Sequence, residues 1–168
     1  WTRQFADVRF GDAGDLAAWI RSTPGLSVSD YLVAVDATGH IRGFMGVWDQ
    51  SAFKQMRVVR YSRRLGIARR AINAASPIVG SARLPLPGGV LPSLATVNVC
   101  AQDSLTLRAL LLEAYRRNRG QRYSFITVGF DVRDPLIAAT KGLLAQPTLV
   151  NAYVTSALGF ADPALYSG

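Results

Sequence analysis

The fold is decided by residues 94–130, where Leu94 to Cys100 reads LATVNVC, Ser104 to Gly120 reads SLTLRALLLEAYRRNRG, and Tyr123 to Phe130 reads YSFITVGF. The outer runs are β-branched and aromatic, the composition of half-buried strands. Between them Leu107, Leu110, Leu111, Ala114 and Tyr115 recur at helical spacing and predict one apolar helix face. Asp103 or Ser104 can cap the start. Arg116, Arg117 and Arg119 suit the carbonyl end of the dipole, and Gly120 stands where a left-handed residue ends a helix. The unit is β-α-β, which implies two parallel strands joined by a right-handed crossover.

Upstream, Phe5 to Phe10 predicts a strand, and Asp12 is placed to cap a helix whose apolar residues are Leu16, Trp19 and Ile20 and which ends before Pro24-Gly25. Tyr31 to Val35 and Ile41 to Trp48 predict a hairpin through Asp36-Ala37-Thr38-Gly39-His40, with Gly39 supplying a positive φ. His40, the single histidine, reads as a solvated turn residue. Downstream, Asp134-Pro135 predicts a helix to about Leu144, and Thr148 to Ser156 a final strand. The tail beyond Ala157 carries little pattern.

With 168 residues and 49% hydrophobic content the sequence is long enough for one domain with its own core. The expected class is α/β, a single mixed β-sheet with flanking helices. Apolar runs stay short of a membrane span, so no membrane partner is expected, and one cysteine, Cys100, permits no internal disulfide and fits a cytoplasmic protein. Opening on Trp1 rather than Met, the sequence reads as processed or as a segment cut from a longer chain.

The net charge of +8 comes from 17 Arg and 2 Lys against 10 Asp and one Glu. Such a balance suits phosphorylated or polyanionic partners, nucleotide cofactors and nucleic acid alike. No Cys/His cluster has zinc spacing, and neither a P-loop nor an EF-hand occurs.

Val8-Arg9-Phe10, then Asp15-Leu16 at a helix start, then LVAVDATGHIRGFMGVW over residues 32–48, resemble the opening of the GNAT superfamily of acyl-CoA N-acyltransferases. The element order resembles that family over most of the chain. The resemblance implies transfer of an acyl group from acetyl-CoA or another acyl-CoA to a primary amine on a small molecule or peptide. It also implies a cofactor site formed by the family's fourth strand and the helix after it, where adjacent strands splay apart so that backbone groups can pair with the pantetheine arm. A Gln/Arg-x-x-Gly-x-Gly/Ala loop then offers backbone N–H groups to the diphosphate, as helix N-termini do.

Two segments compete for that loop. Gln102-Asp103-Ser104-Leu105-Thr106-Leu107 stands at the expected place between strand and helix, with leucines where the glycines belong; Arg63-Arg64-Leu65-Gly66-Ile67-Ala68 satisfies the pattern literally. On the first, the preferred reading, the resemblance assigns the cofactor to Val97, Val99, Gln102, Ser104, Leu105, Thr106 and Leu107. On the second it assigns Arg63, Gly66 and Ala68. The first reading also makes residues 51–92 an insertion, arginine-rich and then Pro/Gly-rich, that is either a lid or phosphate-binding wall or a basic surface helix with a semi-rigid loop. Its helix is expected over Leu65 to Ala75, broken by Pro77.

Acyl transfer needs a base for the amine and a donor for the leaving thiolate. The family's usual Glu and Tyr have no match: Glu113 falls on the polar side of its helix, and no Tyr occurs between Asp131 and Gln146. Asp49, Asp131 and Tyr153 are the substitutes. Cys100, ending its strand, reads as a small buried residue, and Trp19 and Trp48 as core or pocket-wall aromatics. Two further readings stand beside the enzyme. One is a catalytically degenerate GNAT-like binding domain, accompanied by a second such domain or a second copy. The other is a nucleic-acid-binding module using Arg57 to Arg70 and Arg116 to Arg122.

Overall fold

The structure, a computed structural model, describes residues 12–52, 54–79 and 82–150. In chain order these form α1 (Ala13–Ser22), a 3₁₀ turn (Val28–Asp30), β1 (Tyr31–Val35), β2 (Ile41–Trp48), α2 (Arg63–Val79), β3 (Ser93–Ala101), α3 (Ser104–Asn118), β4 (Phe125–Thr127) and a second 3₁₀ turn (Pro135–Thr140). The strands make one open sheet in the order β1-β2-β3-β4. β2 runs antiparallel to both β1 and β3, and β4 lies parallel to β3, so the sheet is mixed, with flanking helices.

Local chemistry explains the hairpin. The Asp36 carboxylate accepts from the Thr38 N–H, the Thr38 hydroxyl and the His40 N–H, while Gly39 adopts φ 85°. That turn sets the register Tyr31↔Gly46 and Leu32↔Met45. Leu32 and Met45 therefore share one face of the sheet, and α3 lays Leu107, Leu110, Leu111 and Ala114 on it; Leu136 and Ala139 close the same core. Arg108 clamps the second 3₁₀ turn to α3 by donating to the carbonyls of Ala139 and Lys141. On α1, Asp12 caps as expected, accepting from the Asp15 N–H, Ile20 is buried, and Trp19 meets Trp48 edge to face at 6.3 Å.

Several expected elements are shorter or differ. Tyr115, read as part of the inward face of α3, is 55% exposed, because it lies a full 100° round the helix from Ala114. β4 is only Phe125–Thr127, and the helix expected to Leu144 is a 3₁₀ turn ending at Thr140. Residues 54–61 contribute no strand, only one isolated bridge, Arg57 to Val90. Pro77 does not break α2, which continues to Val79; a proline in the last turn forfeits a single N–H bond, to the carbonyl four residues before it. Residues 148–150 are not a strand; the rest of that expected element, the expected strand 5–10 and Tyr153 lie outside the described residues.

Candidate functional site

The site is built by β3, which begins beside β4 and then leaves it. Ser93, Leu94 and Ala95 pair with Phe125, Ile126 and Thr127, and the ladder stops there, although β3 runs on to Ala101. Ile126, Val128 and Phe130 still point in turn at the core under α3, so the chain after β4 keeps its place on that face while parting from β3. Ile126 is the last of the three within the ladder.

The parted stretch of β3 contains a bulge. Gly46 pairs with Val97 and Phe44 with Cys100, so Asn98 and Val99 together face Met45, two residues against one. Asn98 takes φ 51°, the left-handed region that asparagine tolerates better than most residues. The Tyr31 hydroxyl donates to Asn98 Oδ1 across the sheet. Tyr31 reaches it over Gly46, where an added Cβ would stand 3.1 Å from Tyr31 Cζ and 2.7 Å from Val97 Cγ2. Burial, with Asp30 adding to it, pushes the Tyr31 hydroxyl up to about 12, so at neutral pH it is a fixed donor.

β3 delivers the chain into the front of α3. The Gln102 N–H bonds the Arg42 carbonyl on β2 at 3.0 Å, holding the turn against the sheet. Gly43 makes the close approach there, since a Cβ on it would lie 2.8 Å from the Cys100 carbonyl oxygen and 3.0 Å from Thr106 Cγ2. Of the residues in the preferred loop, Val97 precedes the bulge and Val99 is part of it, and Gln102, Ser104, Leu105 and Thr106 ring the helix start. Leu107 does not join them: it is fully buried in the core, whereas Leu105 is 77% exposed.

The helix front is already occupied by an anion. Asp103 caps α3, its carboxylate accepting the Thr106 N–H at 2.7 Å, and its backbone carbonyl takes the Leu107 N–H at 3.1 Å. Hydrogen bonds from the Thr106 N–H and hydroxyl hold the Asp103 carboxyl below its usual range. Arg63, Gly66 and Ala68 of the alternative loop lie elsewhere, within α2, which follows a loop rather than a strand.

The two candidate acids, Asp49 and Asp131, are engaged with cations, and so is Glu113. Burial pushes the Asp49 carboxyl up, but hydrogen bonds from Ser51, Arg122 and Tyr123 outweigh it and hold it at about 2. Asp131 is lowered by the side chain and N–H of Arg133. Glu113 accepts from Arg116 and Arg117, which hold it at about 2 on the helix surface. A base so far below neutral pH removes a proton from an ammonium group poorly.

Asp49 lies at the other end of the sheet from the α3 front. There it lines a cleft of about 220 Å³ together with Asp30, Leu94, Arg117, Asn118 and Tyr123. Arg122 and Tyr123 as partners of Asp49, and Tyr31 and Asn98 as partners across the bulge, are not apparent from spacing, being joined over 67 to 74 residues. Among the described residues no cluster of His, Cys, Asp or Glu could hold a metal ion, and no helix is long and apolar enough to cross a membrane. Cys100 is buried.

The Asp49 pairing sets a pH dependence. Its folded pKa lies below the ordinary carboxylate value, so its contribution is complete above about pH 4 and is lost as pH falls toward about 2. Asp49→Asn is therefore expected to unfold at a lower temperature than the wild type near neutral pH, and the gap should close between about pH 4 and 2. A gap that stays constant with pH would mean the ion pair contributes nothing in its charged form.

Comparison with protein-family models, with curated proteins and with solved structures finds no match to this chain.

Proposed function

We propose that this chain is an acyl-CoA-dependent N-acyltransferase that binds the pantetheine arm along β3, beyond its last pair with β4, and transfers the acyl group to a primary amine. The observation that carries the reading is the parting of the two parallel strands at Ala95 and Thr127, followed by the bulge at Asn98 and the front of α3. Main-chain groups of an unpaired strand edge can pair with the amides of an extended ligand, as an added strand does. The Tyr31 hydroxyl, reaching across from β1, donates to Asn98 at the bulge and fixes its side chain, while Asp49, Asp131 and Glu113 are taken up in ion pairs rather than free to act as a base.

That last point favours a second reading, a GNAT-like domain that binds acyl-CoA without turnover. Asp49, Asp131 and Glu113 are each held as ion-paired carboxylates, and Asp103 places a negative charge where a diphosphate would lie.

A thermal-shift titration with CoA, acetyl-CoA and longer acyl-CoAs, run beside an assay of thiol release with amine acceptors, tests both. Saturating ligand should stabilise the fold by about 2.7 kcal/mol at a hundredfold excess over Kd, or roughly 5–10 °C for a chain of this size. Stabilisation with thiol release supports the enzyme; stabilisation without it supports the binding domain. No shift with any of the ligands removes both. Asp103→Ser keeps a capping side chain but removes the charge, and is expected to tighten CoA about fivefold, the worth of about 1 kcal/mol between unit charges roughly 4 Å apart in water.

A further inference from the structure

The segment between Asp49 and Asp103 contains no acidic residue, and its charged side chains are Lys54, Arg57, Arg60, Arg63, Arg64, Arg69, Arg70 and Arg83. At its centre is α2, which turns its polar side toward the protein. Asn73 donates to the Leu84 carbonyl at 2.9 Å and accepts the Leu84 N–H at 2.7 Å. Arg69 stacks over the Tyr61 ring at 5.8 Å, the Tyr61 hydroxyl holds the Pro85 carbonyl, and Ser76 is buried. All of these partners belong to the same insertion.

The outward side exposes aliphatic side chains. Leu65 and Ile72 are 58% and 42% exposed, and Ile67 and Ile78 are 70% and 86% exposed. Leu65, Ala68, Ile72 and Ala75 follow one another at three- and four-residue steps along one strip, with Ile67, Ala71 and Ile78 beside it. Exposed arginines share this surface, Arg63 and Arg70 next to Ile67 and Arg64 between Ala68 and Ala71. A helix on a water-facing protein surface ordinarily has the reverse arrangement, apolar side inward.

We infer that α2 is a docking surface for an anionic lipid bilayer, lying in the plane of the interface with its isoleucines among the acyl chains and its arginines at the headgroups. Charge decides the occupant. A second copy would bring two such arginine-rich segments together, and like charges at an interface oppose association. Nucleic acid would use the arginines but would gain nothing from exposed aliphatic side chains, and a single tyrosine in the segment offers little stacking. A basic helix with one aliphatic side matches both parts of a lipid surface, the apolar layer and the negative headgroups. At 17 residues it is roughly 25 Å long, enough for several headgroups. The inference concerns a helix lying on a membrane, so the lack of a spanning helix among the described residues does not bear on it, and it is independent of the acyl-transfer reading.

Co-sedimentation of the full chain with vesicles tests it. Phosphatidylcholine vesicles containing about one third phosphatidylglycerol should take up the protein at least tenfold better than phosphatidylcholine alone. The double substitution Ile67→Gln with Ile78→Gln, which removes the aliphatic side chains without changing the charge, should abolish that uptake while leaving the unfolding temperature unchanged, because both side chains are exposed. Equal uptake by both vesicle types, or no uptake, overturns the inference. So does unchanged uptake by the double variant, which would mean attraction by charge alone. Tighter, salt-sensitive binding to duplex nucleic acid that the double variant retains would return α2 to the nucleic-acid reading and overturn the lipid one.

Discussion

Leu107→Ala is expected to cost about 3 kcal/mol of folding stability, read as a fall of roughly 6–12 °C in the unfolding temperature. Leu107 is fully buried, packed in the layer that joins α3 to Leu32 and Met45 on the sheet and to Leu136 on the far side. Removing three carbons there gives up the transfer energy and leaves a hole that neither the strands nor the clamped 3₁₀ turn can close. Leu105→Ala, two residues away and 77% exposed, should change stability by less than about 0.5 kcal/mol. The contrast tests the rotation of α3 about its axis: comparable losses at both positions would mean the helix is turned from the orientation described. It also bears on the site. The two leucines that stand where the proposed acyl-CoA reading would want glycines differ in kind, one a core residue that the domain cannot give up, the other a surface side chain beside the helix front. Glycine at position 107 would cost the same cavity plus about 1 kcal/mol of helix propensity, so the loop cannot be restored to its usual pattern at no cost to the fold.

What was legible in the sequence follows the range of the interactions. The face of α3, the Asp12, Asp103 and Asp134 caps and the Gly39 turn are set within four residues, and periodicity or a cap finds them. The length of β4 is set by where β3 leaves it, which no property of YSFITVGF determines. Asn98 was legible in principle: asparagine is depleted from strands, and its place inside LATVNVC is the kind of exception that marks a bulge. The Asp49 partners were not, since Arg122 and Tyr123 arrive from the loop after α3. For α2, spacing gave a basic helix, but only the structure shows which side is inward, because Asn73, Arg69 and Tyr61 tie it to its own insertion rather than to the sheet.

Gly43→Ala is expected to destabilise the domain by about 2–3 kcal/mol and, on the acyl-CoA reading, to abolish the ligand-induced shift at concentrations that saturate the wild type. The new Cβ would lie 2.8 Å from the Cys100 carbonyl oxygen, 3.1 Å from the Ala101 Cα and 3.0 Å from Thr106 Cγ2. Two of those three atoms are backbone, so the methyl group can be accommodated only by moving the end of β3 away from β2, and Thr106 with it. The turn that carries Gln102 into α3 is tied to β2 by the Arg42 carbonyl, so the same movement re-aims the front of the helix relative to the parted strands. Gly129→Ala is the matched control, because a Cβ there meets nothing within 4 Å and its φ is not positive. It should leave both stability and the shift nearly unchanged. If Gly43→Ala loses stability yet keeps a full acyl-CoA shift, the ligand does not use the junction of β3 and α3, and the proposed groove is wrong even though the packing at Gly43 is right. If it loses neither, the close approach of α3 to β2 is itself in error, and the geometry of the groove, which rests on that approach, goes with it.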